Sequence, residues 1–163
     1  MSTPQPTNHA KAQRYAYAQD KYRCAMDTGS YLEAITICES LITDRLLVSR
    51  ERRFGEKREK GSKWIGIREL VKKHKGLAPE KKAASANGHS TTDLITDLER
   101  WIHERNELLH GIAKCLPGEE LASPAELERR AREAAEQGQI LFRQVDGWVR
   151  RSKGEDRLRR EAS

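Results

Sequence analysis

Hydrophobic positions recur along the chain at three- and four-residue steps, the spacing that puts side chains on one face of a helix. The clearest case is residues 90–114. Leu94, Ile95, Leu98, Trp101, Ile102, Leu108, Leu109 and Ile112 form one apolar stripe there. Ser90, Thr91 and Thr92 are N-capping types, and Ser90 with Asp93 has the spacing of a capping box. Asp93 and Asp97 suit the positive pole of the helix dipole.

The same period predicts helices on either side. Over 10–26 the stripe is Tyr15, Ala18, Tyr22, Ala25 and Met26, closed by Gly29 as a C′ glycine. Ser30 is placed to cap a second helix, 31 to about 53, with Tyr31, Ile35, Cys38, Ile42, Leu46 and Ser49 on one side. Leu32, Leu41 and Val48 widen that side. Residues 50–63 are nearly all charged, with two glycines, and read as a solvated helix end and loop that can also track a phosphate backbone. A short helix is expected over 64–75, with Trp64, Ile67, Leu70 and Val71 as its apolar edge. Residues 76–90 are small, polar and turn-forming, a long loop. Ser123 and Pro124 begin a last helix, as N-cap and N1. It is expected to run to about residue 152 with Leu127, Ala131, Ala134, Gly138, Leu141, Val145, Trp148 and Val149 inward. Gly138 permits a close crossing or a bend. The expected architecture is an all-α bundle of four to five helices in one domain, 10–152. A disordered tail over 1–9 and a charged, fraying tail over 153–163 flank it.

Composition sharpens the picture in one direction. The chain has 163 residues, 34% of them charged, and Lys plus Arg (31) exceed Asp plus Glu (25), giving a net charge of +6. That excess favours a polyanionic partner such as RNA. Lys72, Lys73 and Lys75, with His74, crowd the end of the short helix and are candidate RNA contacts, although cations there also suit the dipole. Three cysteines, Cys24, Cys38 and Cys115, are odd in number and widely spaced, with no CxxC and no zinc spacing. They imply a reducing, cytoplasmic setting, with Cys38 a small core residue. No stretch approaches the ~20 apolar residues of a membrane span, and the first residues lack the apolar run of a secretory signal. No Walker loop, GxGxxG, HExxH or GxSxG is present, so P-loop hydrolysis, dinucleotide chemistry, zinc proteolysis and α/β-hydrolase chemistry lack support. No metal or cofactor is implied.

One residue breaks the main stripe. Arg105 lies four after Trp101 and four before Leu109, near the middle of the apolar face. An unpaired guanidinium there is very unfavourable, so it must meet a carboxylate, an interface or an anion. Asn106 and His110, four apart, are neighbours on the flank of the same helix.

The segment Arg105-Asn106-Glu107-Leu108-Leu109-His110 resembles the R-x4–6-H motif of the HEPN family, including the polar residue after the Arg and the following Gly111. The resemblance covers about residues 15 to 150, with the motif its specific part. It implies a metal-independent endoribonuclease in which two protomers bring both motif helices to one cleft, so that two copies of Arg105, Asn106 and His110 form the site. It also implies that the second helix offers a polar residue to that site, with Glu39, Asp44 and Arg45 as candidates. Expected products carry a 2′,3′-cyclic phosphate and a 5′-hydroxyl. Roles as a toxin or in antiviral defence, and a possible antitoxin partner, follow from the same likeness. The variant controlled by AMP transfer needs a tyrosine two residues after the histidine, where this chain has Ile112. The other reading is a non-catalytic helical RNA- or protein-binding module, with Arg105 salt-bridged to Glu39 or Asp44.

Overall fold

Five α-helices carry almost all of the described residues, 8–55, 65–75, 91–113 and 122–161, of a computed structural model. They are α1 (Asn8–Asp27), α2 (Tyr31–Phe54), α3 (Ile67–Lys75), α4 (Thr91–Ala113) and α5 (Pro124–Glu161). No strand occurs among the described residues, and the all-α bundle expected from periodicity is what forms. The expected 76–90 loop, Ser90 of the capping box, Trp64 and residues 1–7 lie outside the described residues.

Local chemistry sets most of the helix ends. Gly29 adopts φ 73°, and the Ser30 N–H donates to Ala25 O at 2.7 Å, which closes α1 in a left-handed turn. Gly55 does the same for α2 at φ 67°, its N–H reaching Glu51 O at 3.1 Å. Ser123 caps α5 as expected, accepting the Glu126 N–H on its hydroxyl at 3.2 Å. Ser30 occupies the cap position of α2 but makes no side-chain capping bond; its hydroxyl lies 3.2 Å from that of Thr28 instead. The short helix begins at Ile67, three residues later than expected, with Gly66 O accepting from Glu69 and Leu70. The last helix continues to Glu161 rather than ending near residue 152.

Packing places α2 against α5, α1 and α3, while α4 packs on α5 and α3. The inward residues form one core in which Ile35, Cys38, Ile42, Leu46, Leu98, Trp101, Leu141 and Val145 are at most 1% exposed. Three helices meet closely at Gly138. A Cβ there would lie 2.8 Å from Trp101 Cζ2 and 3.0 Å from Cys38 Cβ. The indole N–H of Trp101 donates to Ala134 O at 2.7 Å, one turn earlier on α5. Burial pushes the Cys38 thiol up to about 12, consistent with an inert core residue.

His74 departs from the surface role that its lysine neighbours suggest. With Ile67, Leu70 and Val71 it completes the buried face of α3. Its Nδ1–H donates to Leu70 O at 2.7 Å, and its ring stands edge-on to Trp148 with centroids 5.5 Å apart. Nε2 is buried without a hydrogen-bond partner among the described residues. Burial holds its pKa below the ordinary histidine value; the Leu70 bond opposes this, while Arg53 and Arg50 reinforce it.

Two outcomes follow. In Gly138→Ala, overpacking costs about 1–3 kcal/mol against a gain in helix propensity of about 1 kcal/mol. Its thermal midpoint should fall, whereas Gly147→Ala, whose Cβ would meet only the flexible Arg151 end at 3.3 Å, should hold or gain. A depressed folded-state pKa means that the unfolded chain binds the extra proton first, so stability is lost as pH falls below about 6.5. Melting curves between about pH 7 and about pH 5 should show this acid loss reduced in His74→Leu.

Candidate functional site

The motif helix presents Arg105 among its deepest positions. Trp101, Ile102 and Leu108 are buried around it, yet Arg105 itself is only half-buried. One terminal nitrogen of the guanidinium donates to Glu39 Oε2 on α2, and the other donates to Asn106 Oδ1 at 2.6 Å. The ion-pair side chains retain 20% (Arg105) and 23% (Glu39) of their exposure, so the pair sits at the lip of the groove between α2 and α4, reachable from solvent. Burial lowers the pKa of Arg105, but an arginine starts so far above neutral pH that it remains a cation. Glu39 is thus the member of the second-helix trio that meets the motif.

Asp44 and Arg45 are turned elsewhere. Five residues on from Glu39 is about 140° around a helix, which points Asp44 away from α4. The Tyr15 hydroxyl donates to Asp44 Oδ2, and the Arg45 guanidinium lies over the Tyr15 ring at 4.3 Å. Arg45 Nε is 2.8 Å from Asp146 Oδ1 without hydrogen-bond geometry, and Arg150 reaches the other Asp146 oxygen at 2.9 Å. Burial, then the bond to Asp44, raises the Tyr15 hydroxyl above its usual value. This cluster fastens α1 and α5 to α2 and is separate from Arg105.

His110 is exposed and has no hydrogen bond or ion pair to a described residue. It stands about 140° around α4 from Arg105 but only about 40° from Asn106, so Asn106 and His110 share one flank. Leu109, expected on the buried face, is 38% exposed. The contacts of α3 with α4 include the Lys75–Glu99 pair at 3.0 Å, earlier on α4 than Leu109.

The lysine candidates divide. Lys72 and Lys73 are exposed, while Lys75 is engaged by both oxygens of Glu99 at 3.0 and 3.1 Å. Sequence reasoning passed over Arg68, which lies four residues before Lys72 and so beside it on α3; that spacing was the available signal.

The chain matches no family model, and no curated protein or solved structure proves similar to it.

A pair one-fifth exposed couples more strongly than a fully solvated one. A double-mutant cycle of Arg105→Ala and Glu39→Ala, followed by chemical denaturation, should return a coupling of about 0.5–3 kcal/mol. The same cycle on the Arg23–Asp20 pair, whose side chains are 71% and 70% exposed, should return less than about 0.5 kcal/mol.

Proposed function

We propose that this chain is a metal-independent endoribonuclease of HEPN type whose site is completed by a second copy of itself. The observation that carries the reading is a guanidinium in the middle of an apolar stripe, kept at a groove lip by Glu39 and Asn106, with His110 solvent-facing about one turn beyond Asn106. The exposure of Leu109 on the same stripe adds apolar surface that a partner helix would cover.

Cleavage of RNA through its own 2′-hydroxyl needs a proton acceptor, a proton donor for the leaving 5′-oxygen, and a cation beside the crowded phosphorane. An imidazole titrates near neutral pH and serves either proton transfer. Arg105 supplies the permanent charge and forked donors for phosphate oxygens. Glu39 holds the guanidinium in place, and Asn106 orients it from the flank that carries His110. One chain offers one imidazole at the motif; two chains about a two-fold axis offer an acid and a base.

The intramolecular Arg105–Glu39 ion pair also favours a second reading, a non-catalytic helical module in which that pair is structural and His110 is an ordinary surface residue. Roles in toxin–antitoxin or antiviral systems rest on the first reading alone.

The test is cleavage of a single-stranded RNA in the presence of a chelator. The native chain should leave 2′,3′-cyclic phosphate ends, and His110→Ala should lose at least about a hundredfold in rate, the usual worth of a general acid or base. Sedimentation should report a dimer for both. RNA binding by both forms with cleavage by neither selects the non-catalytic module.

A further inference from the structure

Above the motif, α3 and α4 enclose an open cleft of about 220 Å³ lined by Arg68, Val71, Lys72, Glu99 and Ile102. It is smaller than the roughly 300–1,000 Å³ of a pocket for a drug-sized ligand, so it suits a single flat group rather than a whole cofactor. The side chains behind it, Val71 and Ile102, are only 1% and 3% exposed, so the cleft presents mainly Arg68, Lys72 and Glu99. Its walls are basic. Arg68 and Lys72 are exposed and have no ion-pair partner among the described residues. The carboxylate of Glu99 is held by Lys75 at the rim, so the cations are in excess.

The position of the cleft gives it meaning. Glu99, Ile102, Asn106 and His110 follow one another at steps of three and four along α4, and therefore share its flank. The cleft is the upper part of the strip of surface that continues to Asn106 and His110, about 12 Å from Ile102 to His110 at 1.5 Å per residue. Lys73, in contrast, lies about 140° around α3 from Arg68, away from this strip.

We infer that the α3–α4 cleft is the seat for a nucleotide of single-stranded RNA next to the bond being cut. Lys72 and Arg68 take its phosphates, and the guanidinium plane of Arg68 offers its base a stacking surface. The inference rests on the ribonuclease reading of Arg105 and His110 and supplies that site with a strand path. A duplex suits it less, because the bases of a duplex are stacked inside and cannot lie on the guanidinium plane. The occupant is recognised without sequence preference, since the cleft offers charge and a flat surface rather than a set of fixed donors and acceptors.

The experiment uses the full chain and a fluorescein-labelled single-stranded RNA of mixed sequence, read by anisotropy across a salt series, with cleavage measured on the same RNA. Each phosphate contact to a single strand contributes about 0.7 to the salt slope. The double variant Arg68→Gln/Lys72→Gln should bind at least about tenfold more weakly and lose about 1.4 from the slope. Lys73→Gln should stay within about twofold, and a duplex of the same sequence should bind more weakly than the single strand. Far-UV circular dichroism and the thermal midpoint check that the exposed substitutions leave the fold intact. Double-variant binding within about twofold of the native chain, or an equal loss in Lys73→Gln, overturns the cleft. If His110-dependent cleavage then persists, the ribonuclease reading stands without it. Binding that falls in the double variant while no form cleaves upholds the cleft and removes the nuclease. A native chain that binds no RNA overturns both.

Discussion

The close approach of α5 to α2 and α4 at Gly138 is the constraint on which the remaining geometry depends. The Trp101 ring fills the space that a side chain at 138 would need, and its N–H is tied to α5 through Ala134. An indole in a core must satisfy that donor, and here the bond also fixes where α4 sits against α5. Arg105 is one turn further along α4. A guanidinium can meet Glu39 across the groove only if the two helices are held at the right separation, and the tryptophan wedge sets it. Cys38, in contact range on α2, lies one residue before Glu39, so the same crossing positions both partners of the ion pair.

That ion pair is a compromise between two demands. A cation on an apolar stripe is tolerated only with a partner, and Glu39 meets that need within the chain. A pair sealed fully inside would be of no use to a ligand, and a pair fully outside would be screened by water and salt. About one-fifth exposure lies between these limits. It leaves the guanidinium accessible from the groove while Glu39 and Asn106 restrict its rotamers. A phosphate arriving there would compete with a carboxylate for the same donors, which favours a doubly charged or crowded phosphate over a weak anion.

Much of this was legible in the residues. Period alone located all five helices, and the Gly29 and Ser123-Pro124 signals each set a helix end correctly. Arg105 stood out because it broke a pattern that Leu98, Trp101 and Ile112 otherwise kept. Less legible was which of Glu39, Asp44 and Arg45 would face it, because that depends on where α1 and α5 lie around α2. His74 was obscured by the lysines beside it, although its step from Ile67, Leu70 and Val71 is the ordinary spacing of a buried face. Leu109 was assigned to the core because the stripe runs through it. Its exposure depends on what packs against α4 at that level, and no property of α4 itself reports it. The last helix outran its expected end because the arginine- and glutamate-rich sequence after residue 152 contains good helix formers.

The pairing of α2 with α5 has a consequence for how the molecule is made. Cys38 and Gly138 touch across most of the length of the chain, so the apolar face of α2 leaves the ribosome long before the helix that covers it. Contacts this distant in sequence slow the search for the native arrangement. Until α5 has been made, Ile35, Ile42 and Leu46 have only α1 and α3 to shelter them. A nascent chain in that condition is a natural client for chaperones, and one truncated ahead of α5 would be prone to aggregate.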